Sequence, residues 1–173
     1  MKSAHIGNIT LGKSVTISDP CYISDLVLSN TTIENVNEGE FKCYIKTAIY
    51  GSWGKRVHQM LAIHKDYINN VRADNYDFLG FAGVDSGTMS ISDSDYYDAH
   101  HLNDLDEDWY DREVTGMFDD DNDVDTNIAD GKCFISESGI GDGFYGVYGA
   151  YNEDGYLVAI KVVFLQERRG GRG

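Results

Sequence analysis

The chain has 173 residues, 42% of them hydrophobic, with 29 acidic against 14 basic side chains and a net charge of −15. That length fits one domain with a real core. No run approaches the ~20 apolar residues that span a bilayer, and Met1–Lys2–Ser3–Ala4–His5 lacks the apolar centre of a signal peptide, so a cytoplasmic protein without membrane contact is expected.

The N-terminal half reads as short strands. Val15–Ile17 is followed by Ser18–Asp19–Pro20–Cys21, a turn around the single proline. Phe41–Thr47 and Val57–His64 alternate apolar and polar residues with the period of two that marks a half-buried strand. Arg56, His58 and His64 share a parity on the second of these and are therefore expected on one face. Phe78–Ala82 and Thr88–Ile91 follow, bracketing Val84–Asp85–Ser86–Gly87.

From Asp93 to Asp125 the pattern changes: fourteen acidic residues stand against one base, Arg112, while the rest of the chain sums to only −2. Ser92 or Asp93 can cap a helical turn through Tyr96–Tyr97, and a second helical piece falls near Asp108–Met117. A face of this sign does not take a phosphate backbone, so a nucleic-acid partner is not expected for this protein, whereas a basic protein partner for residues 93–125 is. Asp121–Asn127 resembles the start of a calcium loop but has Thr126 in place of the required glycine and Lys132 in place of the bidentate glutamate, which rejects an EF-hand.

Strands return at Cys133–Ser136, Phe144–Tyr151 and Tyr156–Leu165, with Asn152–Glu153–Asp154–Gly155 as a hairpin signal between the last two. Between the first two lies Ser138–Gly139–Ile140–Gly141–Asp142–Gly143, a loop emptied of side chains that lets backbone approach closely or presents N–H groups and a carboxylate. It precedes a strand and not a helix, so it is no dinucleotide fingerprint, and the chain has no Walker lysine loop. No cofactor, metal or catalytic residue is assigned. Cys21, Cys43 and Cys133 are too few and of the wrong parity for a disulfide framework and are expected as buried thiols. Residues 1–167 thus form one mainly β domain, an antiparallel sandwich or partly open barrel with one or two short acidic helices. Residues 168–173 form a basic Gly/Arg tail expected to fray.

The order of the motifs Ser18–Asp19–Pro20–Cys21–Tyr22, Gly51–Ser52–Trp53–Gly54–Lys55–Arg56–Val57, Val84–Asp85–Ser86–Gly87–Thr88, Asp93–Ser94–Asp95–Tyr96–Tyr97, Trp109–Tyr110 and Ser138–Gly139–Ile140–Gly141–Asp142–Gly143 resembles a family of small phage and bacterial proteins, domain of unknown function 4241. The resemblance runs from about Val15 to Phe164, excluding residues 118–127 and the tail. It implies a phage or bacterial origin and no particular reaction.

Three functions from different classes fit these residues. The first is a non-enzymatic module that captures a small anionic, nucleotide-like ligand, as a phage protein sequestering a host defence signal does. Trp53 and Tyr145 supply stacking surfaces, Arg56 and His64 polar contacts, and Asp85, Gly141, Asp142 and Gly143 the loop backbone and carboxylates. The second is an acidic interaction protein, a nucleic-acid mimic or assembly component. The third is a metal-dependent hydrolase in which Asp19, Asp85 and Asp142 converge.

Overall fold

The computed structural model describes residues 2–21, 30–101, 108–119 and 124–165, which leaves the tail and Asp121–Asp123 of the acidic run outside the described residues. Eleven strands occur among them: β1 (Lys2–Leu11), β2 (Val15–Ser18), β3 (Thr31–Ile33), β4 (Gly39–Ile49), β5 (Lys55–His64), β6 (Asp77–Val84), β7 (Thr88–Asp93), β8 (Thr126–Ala129), β9 (Cys133–Glu137), β10 (Gly143–Tyr151) and β11 (Leu157–Val163). Two short helices, α1 (Ser94–His101) and α2 (Trp109–Glu113), fall where the caps predicted them.

The strands form two antiparallel sheets, one of six strands in the order β1-β4-β5-β11-β10-β6 and one of five in the order β3-β2-β7-β9-β8. Alternation explains how they stack. In β4, Phe41, Cys43, Ile45 and Thr47 are buried while Lys42, Tyr44 and Lys46 between them are not. Phe41, Met60, Val147 and Ile160 of the larger sheet meet Ile17, Met89, Ile91 and Phe134 of the smaller one in a single core. At the margins the two sheets touch through isolated bonds, Thr10 N to Gly131 O at 2.8 Å and Thr31 Oγ1 to Phe81 O at 2.9 Å. The architecture is therefore a β-sandwich and not a closed barrel.

The predicted hairpin is present. Asn152 N donates to Tyr156 O at 2.9 Å, the Asn152 side chain accepts from the backbone of Asp154 and Tyr156, and Gly155 takes a φ of 83° that an L side chain disfavours. Three strands that the sequence reading did not place, β1, β3 and β8, complete the two sheets. β1 carries little apolar periodicity because most of its residues are exposed at a sheet edge.

The acidic helices cover the outside of the smaller sheet. Trp109, Val114 and Met117 pack on Ala129, Cys133 and Ile135, forming a second core on the far side from the first. Trp109 Nε1 donates to the Tyr96 hydroxyl at 2.8 Å, which donates to Asp130 at 2.6 Å, while Asp93 accepts from Tyr96 N at 3.3 Å as a helix cap. The acids of α1 and α2, the described part of the predicted belt, therefore lie on one flank of the sandwich.

Candidate functional site

Strand direction decides which motifs meet. β5, β7, β8 and β10 begin, and β2, β4, β6, β9 and β11 end, at one end of the sandwich. Asp19–Cys21, Gly51–Gly54, Asp85–Gly87 and Ser138–Asp142 all connect strands there.

The Asp19 carboxylate, 1% exposed, ties two of these turns together. Oδ1 accepts from Cys21 N at 2.8 Å and Ser86 Oγ at 2.7 Å, and Oδ2 accepts from Asp85 N and Ser86 N, both at 2.8 Å. These four bonds occupy the oxygens that a metal or a proton transfer needs. Among the described residues no group of three or more His, Cys, Asp or Glu side chains is placed to hold a metal. Cys21, expected in the core, is only partly buried. Burial still pushes its thiol up, a hydrogen bond from Tyr110 opposes this, and the charges of Asp19 and Asp85 add to the rise. That is the reverse of what an activated nucleophile requires.

The glycine loop is closed from within. Gly141 O accepts from Ser138 Oγ at 2.7 Å and from Tyr145 Oη at 2.6 Å, and Ser138 N donates to Gly87 O at 3.0 Å. At Gly139, φ is 72° and a Cβ would stand 3.0 Å from Val57 O and 3.1 Å from Phe164 Cβ, so close approach of the neighbouring strands explains this glycine. Tyr145 is buried, with its ring edge-on to Phe164 at 5.1 Å, and belongs to the core instead of offering a stacking face.

Arg56 and His64 do not share a face. Thr47 pairs with Val57 and Lys46 with Gln59, so a bulge inserts one residue between them and reverses the parity of β5. Val57 before the bulge and Met60 after it both enter the core. Arg56 is paired with Ala48, on the outward parity of β4, and its Nε donates to Trp53 O at 3.0 Å. Trp53 is 58% exposed. His64 lies about 26 Å along the strand at the other end. It is buried there, edge-on to Phe41 and Tyr67, with Nδ1 accepting from Asp66 N at 3.1 Å.

The outer face of the six-stranded sheet carries the feature that motif reading missed. Register aligns Ser3, Lys46, Gln59, Val163, Gly146 and Phe81 in one row, and His5, Tyr44, Leu61, Lys161, Tyr148 and Phe78 in the next. A third row begins Asn8, Lys42, Ile63. These rows hold three lysines and no acid, in a protein of net charge −15. Lys161 Nζ stands 4.2 Å from the Tyr76 ring centroid and 5.4 Å from that of Tyr148. Burial, and then the charge of Lys46, lowers its pKa. Beside it, Phe78 contacts Phe81 and Tyr148 edge to face at 5.0 and 5.6 Å, and Phe78, Phe81 and Phe144 are 53%, 55% and 65% exposed. The sequence signal was the outward alternation Lys42, Tyr44, Lys46 in β4, whose orientation only the core could fix.

Cavities at the opposite end have the contrary character. One of about 650 Å³ is lined by Glu34, Glu38, Asp93, Asp95 and Asp98 against Lys13. Another of about 630 Å³ has Asp77, Glu153 and Asp154 and no base in its wall.

Glu137, at the rim, gives the structure a pH dependence. Burial raises its carboxyl above the ordinary glutamate value and the Asp125 charge adds to this, while a hydrogen bond from Asp125 N at 3.2 Å and the Arg56 charge oppose it. The folded state thus holds this proton more tightly than the unfolded chain. The resulting stability is fully present below the unfolded value of about 4.3 and is lost as pH rises through the raised folded one. Chemical denaturation at a series of mildly acidic pH values should show a steeper decline for the native protein than for Glu137→Gln. Identical profiles would refute this role of Glu137.

Comparison with protein families, curated proteins and solved structures gives no match.

Proposed function

We propose that this chain is a non-enzymatic binding module that captures an anionic, nucleotide-like ligand on the outer face of its six-stranded sheet, next to Trp53 and Arg56. The observation that carries this reading is Lys161, whose ammonium sits near the rings of Tyr76 and Tyr148 in a row that holds no acid, Glu40 standing beyond Lys42 as the next outward residue of β4. A half-buried cation beside a second lysine gains from an anion that neutralises both, and exposed rings offer surface to a heterocycle. Both requirements of a nucleotide, charge and stacking, are met within neighbouring residues. The rim loops are less suited to an anion, because Asp85 and Asp142 contribute charge of the wrong sign.

The test is a thermal-shift panel of mononucleotides, cyclic nucleotides and ADP-ribose derivatives. A ligand at a hundredfold its Kd adds about 2.7 kcal/mol, which raises the midpoint by several degrees. Lys161→Gln and Tyr148→Leu, both at the surface of the sheet, are expected to abolish the shift while leaving the unliganded midpoint close to that of the native protein. The bound molecule should be recovered chemically unchanged. A panel without a shift, or a shift indifferent to both substitutions, would sink the proposal, and a consumed ligand would make the protein an enzyme.

The same separation of charge favours a second reading, a basic protein partner on the helical flank. Neutralising Asp95, Asp98 and Asp111 would abolish that interaction and leave nucleotide binding intact.

A further inference from the structure

Resting on the nucleotide reading of this face, we infer that its ligand is a single-stranded nucleic acid lying across the strands of the six-stranded sheet, with bases on two aromatic stations and phosphates over Lys161 between them and over Lys42 and Lys46 beside the second. One station is the cluster of Phe78, Phe81 and Tyr148 on β6 and β10. The other is Tyr44 on β4 with His5 beside it at 5.2 Å. From β4 to β10 is three strand steps, about 14 Å, and the whole sheet is about 24 Å wide. Lys161 on β11 falls between the stations, and Lys46 stands on β4 one row from Tyr44.

A mononucleotide has one base and fills one station. Two stations with a cation between them, and others beside one of them, match a ligand that repeats base and phosphate in the same order. Sheets of four strands elsewhere stack about two or three bases on such aromatics, so a six-stranded face has room for that number. A duplex hides its base faces in its own stack and offers the stations nothing.

The sign of the protein as a whole does not prevent this. The acids of α1 and α2 lie outside the smaller sheet, across a sandwich whose sheets are about 10 Å apart. Counter-ions in the solvent over that flank screen its exposed acids within about 8 Å at physiological salt. The acidic belt spoke against a phosphate backbone on its own flank, and the lysines are on the other.

Fluorescence anisotropy with end-labelled oligothymidylates tests the inference. A strand of about six nucleotides should bind at least tenfold more tightly than thymidine monophosphate and than a duplex of equal length. With three or four phosphates neutralised, log K should fall against log salt with a slope of about −2 to −3. The triple substitution Lys42→Gln, Lys46→Gln, Lys161→Gln should flatten that slope. Tyr44→Ala and Tyr148→Ala should each weaken the strand about 5- to 100-fold, and Asp111→Asn on the far flank should leave it unchanged, with thermal midpoints checking that each variant folds.

Equal affinity for monophosphate and strand would overturn the inference and leave the nucleotide reading standing. Loss of both would overturn both. Equal affinity for duplex, or a face found covered by a second copy in sedimentation, would likewise overturn the single-strand assignment.

Discussion

Asp19→Ala should cost about 3–5 kcal/mol of folding stability and lower the thermal midpoint by on the order of 10 °C. The carboxylate is buried and accepts four hydrogen bonds, three of them from backbone N–H groups that lose their acceptor once it is gone. Hydrogen bonds to a charged group contribute about 1.5–3 kcal/mol each. The loss extends beyond one turn, because the same two oxygens fix the residues after β2 to the connection from β6 to β7. Asp19→Asn keeps one acceptor and should fall between the native protein and the alanine variant. Urea denaturation measures all three, and a loss under about 1 kcal/mol for alanine would show that the carboxylate is not the clamp the geometry describes.

Gly139→Ala should be the most damaging of the loop's glycine substitutions, at about 2–4 kcal/mol. Two costs add. A φ of 72° is one that a Cβ disfavours by about 1–2 kcal/mol, and the added methyl would stand 3.0 Å from Val57 O and 3.1 Å from Phe164 Cβ. Neither neighbour can retreat easily, since Val57 lies in β5 and Phe164 N is bonded to His58 O at 2.9 Å. Gly141 provides the contrast: its φ is 115°, yet a Cβ there meets nothing within 4 Å, so Gly141→Ala should show strain without the clash. Equal losses at the two positions, measured by denaturation, would mean that backbone conformation alone sets the cost.

Both expectations recast motifs that the sequence offered as chemistry. Asp19, Asp85 and Asp142 stood beside glycine or proline at strand ends, and an aspartate there either reacts or accepts backbone hydrogen bonds. The second use holds for Asp19. The glycine loop, which reads equally as a cradle for a ligand, is shaped at Gly139 by strands passing close by and at Gly141 by two hydroxyls of the chain itself.

Alternation placed β4 and β5, and short runs bounded by turn-forming clusters placed the other six, among them β2 and β7, which are buried on both faces and do not alternate. Cap and turn chemistry placed α1, α2 and the Asn152–Gly155 hairpin. β1, β3 and β8 escaped because short or edge strands carry little of that signal. The shared face of Arg56 and His64 failed on a single inserted residue, since a bulge is set by pairing across strands and leaves no mark in the periodicity of one.

Period, capping and charge, which act over neighbouring residues, dictate the class of this protein: a mainly β domain with an acidic helical insertion. Tertiary structure alone decided which side of β4 faces water, that Lys46, Tyr44, Lys161, Tyr148 and Phe78 fall in adjacent rows, and that the acids lie across the sandwich from them. These residues come from four strands as far apart in sequence as Tyr44 and Lys161, and only hydrogen-bonded register between strands brings them to one surface.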